Sequence, residues 1–521
     1  MQGIDKKSRE ILTGAAWLGI SALILKIIGV IYKVPMSYIL GDEGMGYFNS
    51  AYTVYVFFYI IGSAGIPKAV SILCAKASQG EAKNIFRVVF KIYILIGLLL
   101  SLFLMVFSDF LAKMIGNDKS YFAMIVVAPS IFFVCAAGVI RGYLNGKMKF
   151  LPVAISELIG GISKLGLGLL FAYYAVNHGF PVHIVCGFSI FGITVGAFLG
   201  LIYLYIYYKK ESKGICEIYS SKKKTLTEIF KIALPITLAS ALGSIVNIID
   251  LGIIMNRLEV LGYPETIRTV IYGNYTTLAV PMFGVITNLI NSVAVAALPA
   301  ISKAYAERKY DDLNCALASS IKINFFIAFP SFIVFLLFPL ELLSVMFEAG
   351  SAALGAAFLS ALAPGAFIYA SLIVVNTALE GIGKVKEAMF SLALGAMIKA
   401  LISFLMIGTN LFGALGAPIG TVLSYLISLI FSLHILKKDK RIKCNIKKES
   451  LLPLIIALFS LVPATLLKFF IHNKFQIRVN SFLILAVYGG FYIFFASFFI
   501  IIWKNKRKIC AKSPKNKSYD Y

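Results

Sequence analysis

Ile159-Gly160-Gly161-Ile162-Ser163-Lys164 and Leu394-Gly395-Ala396-Met397-Ile398-Lys399 are two versions of one text: small residues, then a lysine, inside an otherwise apolar segment. Working outward, Gly146-Lys147-Met148-Lys149 pairs with Gly383-Lys384-Val385-Lys386, and Ala128-Pro129 with Ala363-Pro364. Gly65-Ile66-Pro67-Lys68-Ala69-Val70 pairs with Ala297-Leu298-Pro299-Ala300-Ile301-Ser302, at the same offset of 232 residues that relates Asp109 to Glu341 and Met114 to Met346. Small insertions raise the offset to 235–237 in the later pairs. A constant offset over ordered pairs marks a duplicated unit.

The composition states the solvent. Of the 521 residues, 60% are hydrophobic and 14% charged, and mean hydropathy is +0.88. Apolar segments recur along the whole chain, so an integral membrane protein is expected, with no large soluble domain. At roughly 20 apolar residues per crossing, helices are predicted near 11–34, 46–73, 86–108, 121–143, 152–176, 183–208, 229–255, 271–302, 319–340, 354–379, 388–408, 414–436, 451–471 and 481–503. The first, Ile11 to Val34, exceeds the ~7–15 residue core of a cleavable signal and has no small-residue cleavage motif, so it is taken as a membrane helix.

The fold class is therefore an all-α integral membrane protein of about fourteen helices: two six-helix bundles as parallel repeats, residues 1–228 and 229–436, then two further helices and a basic tail, 437–521. An even number of crossings per repeat keeps both copies in one orientation. The polar breaks Lys209 to Glu228 and Lys437 to Ser450 fall at the two boundaries. Paired bundles of this kind favour alternating access, one bundle rocking against the other about a site between them.

Forty-nine Lys and Arg against twenty-four Asp and Glu leave a net charge of +25. With both termini in the cytoplasm, only Lys113, Lys119, Arg257, Arg268, Lys474 and Arg478 fall in the opposite loops, which carry Asp42, Glu43, Asp109, Asp118, Glu259, Glu265, Glu341 and Glu348 instead. The excess charge thus mainly records orientation in the membrane rather than nucleic-acid binding. Runs such as Lys222-Lys223-Lys224 and Lys437-Lys438 also suit anionic lipid headgroups.

Ionisable residues inside spans face a cavity or a partner, because a charge at the bilayer centre costs ~2.5–3.5 kcal/mol. Lys26 and Lys33, seven residues apart, share a side of the first helix, although Lys33, next to Pro35, can instead reach the outer headgroups. Glu157 and Lys164 repeat that spacing in the fifth helix and can line one polar cavity. Lys399 is the repeat counterpart of Lys164. Asp250, beside Asn247, is either a proton or cation carrier or the partner of a lysine across the lobes. Arg141, with Lys147 and Lys149, ends the fourth helix, where it can meet an entering anion or snorkel to the interface.

Little else carries chemistry. Gly381-Ile382-Gly383-Lys384 is followed by Val385 and fails the phosphate-loop pattern, and His178, His183, His434 and His472 have no metal-ligand spacing. The seven cysteines (Cys74, Cys135, Cys186, Cys216, Cys315, Cys444, Cys510) lack a Cys-x-x-Cys pair and are expected as small apolar fillers. Tyr and Phe are assigned to helix faces and interface belts. An enzyme is disfavoured, and no catalytic residue, metal or cofactor is expected.

Gly41-Asp42-Glu43-Gly44-Met45-Gly46-Tyr47, Gly65-Ile66-Pro67-Lys68-Ala69-Val70-Ser71, Val139-Ile140-Arg141-Gly142-Tyr143-Leu144-Asn145-Gly146-Lys147 and Ala296-Ala297-Leu298-Pro299-Ala300-Ile301-Ser302 together resemble the stage V sporulation protein B family. That family lies on the polysaccharide exporter and lipid II flippase side of the multidrug/oligosaccharidyl-lipid/polysaccharide (MOP) superfamily. The resemblance covers roughly helices one to twelve. It implies outward movement of an undecaprenyl-pyrophosphate-linked saccharide, a cell-wall, spore-cortex or polysaccharide precursor, coupled to membrane potential or an ion gradient. It also implies that Lys26, Lys164 and Lys399 fall on basic positions of the family and Asp250 on an acidic one. The stretch Val56 to Gly62 lacks an arginine found in lipid II flippases, which leaves the saccharide open. The competing readings are a multidrug cation exporter of the same superfamily, which would want acids in the cavity, and a membrane saccharide polymerase or ligase, which would need catalytic groups on an external loop.

Single cysteines replacing Asp118 and Glu348 are expected to react with an impermeant maleimide added outside intact cells; labelling only after permeabilisation would reverse the topology.

Overall fold

The computed structural model describes residues 5–216, 218, 222–409, 411–442, 446–471 and 476–511; Cys444, His472 and Lys474 lie outside these, as do the basic tail beyond Ala511 and the side chain of Cys510. Among the described residues there are helices and turns but no strand. Hydrocarbon offers backbone groups no hydrogen-bond partner, and a helix satisfies its own.

Two compact units are present: Met1–Thr277 with Ile407–Ala414, and Leu278–Met406 with Leu415–Tyr521. The first contains α1 (Asp5–Ser63), α2 (Gly65–Lys76), α3 (Gln79–Val106), α4 (Ser108–Met114), α5 (Tyr121–Gly146), α6 (Phe150–Asn177), α7 (Val182–Glu211), α8 (Lys222–Val260) and α9 (Glu265–Asn274). The second contains α10 (Val280–Ala306), α11 (Tyr310–Leu337), α12 (Pro339–Ser344), α13 (Ala349–Gly381), α14 (Val385–Ile407), α15 (Gly416–Lys437), α16 (Ile446–Ile471) and α17 (Ile477–Ala511).

Among the described residues thirteen helices are long and apolar enough to cross a membrane, the first being the 60-residue run Trp17–Lys76. A straight helix of that length would reach about 90 Å, three times the ~30 Å hydrocarbon thickness. It is not straight. Gly41 leaves helical geometry at φ 63, ψ −177, a left-handed conformation that glycine adopts without strain. Tyr32 and Phe48, which a straight helix would set about 24 Å apart, have ring centroids 5.9 Å apart. The run therefore folds back on itself at Gly41 and holds two of the expected crossings, 11–34 and 46–73, so the expected count of about fourteen stands. One boundary differs clearly: Asn256 to Val270, read as an external loop, is mostly helical, with α8 running to Val260 and α9 starting at Glu265. Arg268 folds back from α9 onto Glu259 of α8 at 2.6 Å and holds the two helix ends together.

The return arm of α1 is joined to α9 by close backbone approach. A Cβ on Gly46 would collide with the Thr269 carbonyl, and one on Gly273 with the Asp42 carbonyl. Beside this contact, Asn49 Nδ2 donates to Thr277 Oγ1 at 2.7 Å, Asn117 Nδ2 to Ser50 Oγ at 2.8 Å, and Thr269 Oγ1 to Asn117 Oδ1 at 3.2 Å. All of these side chains are buried polar groups, and such pairs join membrane helices where apolar attraction is absent. Just past the end of this arm, Gly65, the first residue of α2, lies against the Ala233 carbonyl of α8. By packing, α8 and α9 thus belong with α1 to α7, although the duplication assigns them to the second repeat.

The second unit is built on Phe325, Phe329, Leu372, Val375 and Leu379, with α16 and α17 packed onto it. Tyr492 of α17 donates to the Phe326 carbonyl at 2.6 Å, and Lys468 of α16 pairs with buried Glu341 of α12 at 2.5 Å. Within it, Asn376 Oδ1 accepts from Ser432 at 2.7 Å and Ser391 at 3.4 Å, a polar link between α13, α14 and α15. Cys74, Cys135 and Cys186 are buried fillers, whereas Cys216 and Cys315 are exposed.

Gly46→Ala is expected to push α9 off α1 and to lower stability by about 1–3 kcal/mol, read as a fall in the thermal unfolding midpoint in detergent. Gly243→Ala, whose new Cβ would meet nothing within 4 Å, is the control and should not lose stability.

Candidate functional site

The first unit encloses a cavity of about 530 Å³, within the ~300–1,000 Å³ range of small-molecule sites. Its walls come from α1, α5, α6 and α7: Leu25, Ile28 and Gly29 on the outgoing arm of α1, Tyr52, Tyr55 and Tyr59 on the return arm, Arg141, and Glu157 with Lys164. Small residues create the space, since Gly160, Gly161, Gly196, Ala197 and Gly200 line the α6–α7 side. These glycines bring α6 and α7 close enough that a Cβ on Gly196 would lie 2.8 Å from the Gly160 carbonyl.

The charged groups are set by helix period. Glu157 and Lys164 are two turns apart on α6, which places both toward the cavity. Arg141, near the end of α5, faces Glu157 at 3.8 Å, a loose pair whose side chains are 18% and 32% exposed. Arg141 Nε is buried and has no hydrogen-bond partner among the described residues, so the guanidinium keeps donor capacity that Glu157 does not use. Lys164 has a different neighbourhood: its ammonium lies 5.0 Å from the centroid of the Tyr32 ring and 4.6 Å from that of Tyr52. Aromatic faces attract a cation by about 0.5–2 kcal/mol each, which holds the amine within the protein rather than in lipid. Tyr32 and Tyr52 meet at one ammonium only because α1 folds back at Gly41. Around them, the rings of Phe48, Tyr52, Tyr55 and Tyr59 follow one another at centroid spacings of 5.8 to 5.9 Å. Among the described residues Glu157 is the sole carboxylate lining the cavity, against two cations.

Of the residues singled out from the sequence, the structure gathers Arg141, Glu157 and Lys164 in this cavity. Lys26 lies exposed on α1, on a face next to the lining residues Leu25, Ile28 and Gly29 but not among them. Lys33, allowed above to reach the headgroups, turns inward instead, and its Nζ donates to the Thr276 carbonyl at 3.1 Å. The reason is local: Tyr275–Ala279 is a π-helical turn, a wider winding that interrupts the ordinary ladder of bonds along the helix. Asp250 is half-buried in α8 and Lys399 half-buried in α14 of the second unit. Lys147 and Lys149, grouped with Arg141 by sequence, part from it: one reaches the Ala77 carbonyl at 3.5 Å, the other Glu211 at 3.5 Å. The tyrosines were missed, having been assigned to helix faces and interface belts. Their signal was the spacing of Tyr52, Tyr55 and Tyr59, which puts all three on one side of a helix. No group of three or more His, Cys, Asp or Glu suited to a metal occurs among the described residues.

A many-helix membrane chain with a cationic cavity is a membrane transporter in class. The chain belongs to the family described as polysaccharide biosynthesis protein, whose pattern it matches over residues 11–305, and residues 276–405 match the MatE family. It is 21% identical to stage V sporulation protein B of Bacillus subtilis (strain 168) over 84% of this chain and 86% of that one. It is 24% identical to the lipid II flippase MurJ of the same organism over 94% and 95%. A solved structure of the lipid II flippase MurJ, in an inward closed conformation, superposes with a TM-score of 0.71 at 17% identity, covering 92% of this chain and 98% of that one. The resemblance drawn from the sequence motifs is thereby confirmed: the protein is a MOP-superfamily transporter rather than an enzyme, a multi-pass membrane protein with the all-helical fold of that group.

Glu157→Gln removes the single lining carboxylate and frees Arg141, so it is expected to tighten binding of inorganic pyrophosphate several-fold in titration calorimetry. Unchanged or weaker binding would mean that Glu157 does not compete for Arg141.

Proposed function

We propose that the protein is an alternating-access flippase that carries an undecaprenyl-pyrophosphate-linked saccharide, lipid II or a related cell-wall, spore-cortex or polysaccharide precursor, outward across the plasma membrane. The observation that carries this reading is the charge balance of the cavity, two cations against one carboxylate. A pyrophosphate cannot enter hydrocarbon unaided, because an isolated charge leaving water pays a desolvation penalty that only paired, hydrogen-bonding groups offset. Arg141 offers a planar fork and Lys164 a mobile point charge, two complementary ways of holding phosphate oxygens. The polyprenyl tail needs no such shelter and remains in lipid. The names of the relatives, a lipid II flippase and a sporulation protein, support the same reading.

In this proposal Lys26, Lys33 and Lys399 add to the cationic path, and Asp250 acts in coupling or lobe closure. Both termini are cytoplasmic, and the two repeats, 1–228 and 229–436, are the moving lobes. Outward movement of an anion runs with an inside-negative potential, which supplies about 2.3 kcal/mol per charge per 100 mV, so the potential is a sufficient driving force in kind. An organic-cation exporter is the second reading, favoured by the MatE match at residues 276–405; the cationic excess in the cavity weighs against it.

In vesicles reconstituted with a fluorescent lipid-linked saccharide, Lys164→Gln and Lys26→Gln are expected to abolish flipping. Lys26→Arg should retain part of it, and Asp250→Asn should slow transport more than it weakens headgroup binding. Export of organic cations by the wild-type protein, unaffected by either lysine change, would replace the proposal with the second reading.

A further inference from the structure

The ammonium of Lys164 occupies a slot between two aromatic rings, 5.0 Å from the Tyr32 centroid and 4.6 Å from that of Tyr52. Rings gathered around one point are a general receptor for quaternary and other organic cations. Here the receptor is filled by the chain itself. Tyr32 is 1% exposed and its ring meets the Lys164 ammonium from within the protein, whereas Tyr52, half-buried, lines the cavity together with Lys164. Glu157, the one lining carboxylate, is likewise engaged, by Arg141 at 3.8 Å. Both features that would hold an organic cation, an aromatic slot and a negative group, are thus answered internally.

We propose that Lys164 is a selectivity residue, a tethered cation that fills the Tyr32–Tyr52 slot and bars free organic cations from the cavity. This deepens the anionic-cargo reading and rests on it for its biological sense, but it makes a separate physical claim. Specificity is a difference of affinities, and a built-in repulsive or space-filling element achieves it without improving the wanted contact. An arriving anion draws the ammonium off the rings toward its own oxygens and gains a partner. An arriving cation finds the slot full and meets a like charge. The same lysine therefore acts in opposite senses on the two classes of ligand.

The test uses the full chain purified in a maltoside detergent and titrated with choline by calorimetry. Wild type is expected to show no measurable binding. Lys164→Ala, which empties the slot, should gain measurable choline binding, at least about tenfold tighter than the detection limit that bounds wild type, as two aromatic faces would supply. Lys164→Arg, which refills it with a cation, should remain without binding, and adding Tyr52→Ala to Lys164→Ala should lose what was gained. If Lys164→Ala does not yield folded protein, Lys164→Thr serves for the same measurement. A folded slot-emptying variant that binds choline no better than wild type overturns the proposal, as does wild-type binding equal to the variant's. Flipping of lipid-linked saccharide by the wild type is scored in parallel. Gain of choline binding without wild-type flipping would sink the cargo reading and keep the role of Lys164, whereas flipping without the gain would do the reverse.

Discussion

An ammonium group inside a membrane has to be sheltered by protein, since its cost at the bilayer centre, ~2.5–3.5 kcal/mol on insertion scales, must be met by partners within reach. For Lys164 those partners are not carboxylates but the faces of Tyr32 and Tyr52, and they meet only because α1 reverses at Gly41. The cavity depends on that reversal: one arm of α1 contributes Leu25, Ile28 and Gly29, the other Tyr52, Tyr55 and Tyr59, and α5, α6 and α7 close the remaining sides. A residue with a Cβ at position 41 would strain the turn, spread the arms and take the two rings away from the amine.

The duplicated text and the compact units divide the chain differently, and the reason is physical. Duplication is a relation between sequences, whereas compactness reflects which surfaces lie in contact. Helices α8 and α9 carry second-repeat sequence yet lie against the return arm of α1, where Gly46 and Gly273 remove the Cβ atoms that would separate them and Asn49, Asn117 and Thr269 supply polar bonds. Small residues for close approach, with a few hydrogen bonds to fix register, are the usual means of joining helices in lipid. The last two helices, α16 and α17, stand outside the duplication but are bound into the second unit through Lys468, Tyr488 and Tyr492.

Transport asks a site to be attractive without being final. Arg141 and Glu157 at 3.8 Å are close enough to steady one another and too far for a strong hydrogen bond. Lys164 rests on aromatic faces, a weaker hold than a carboxylate would give at close range. Neither cation is locked into a tight pair. Membership of the polysaccharide biosynthesis protein family and the MOP transporter fold place this arrangement among transporters.

Hydrophobic periodicity, charge distribution and internal repetition are local or one-dimensional properties, and they were enough to establish a helical membrane protein of about fourteen crossings. The seven-residue spacing also sufficed to put Glu157 and Lys164 on one face of α6. What the sequence could not decide is which faces meet. Lys26 and Lys33 share the same spacing as Glu157 and Lys164, yet Lys26 is exposed and Lys33 bonds to the Thr276 carbonyl far along the chain. Tyr32 and Tyr52 looked like ordinary helix-face aromatics until the turn at Gly41 brought them together. Periodicity gives direction about one helix axis, but partnership depends on how helices reverse and pack, and that is decided by close contacts between residues hundreds of positions apart.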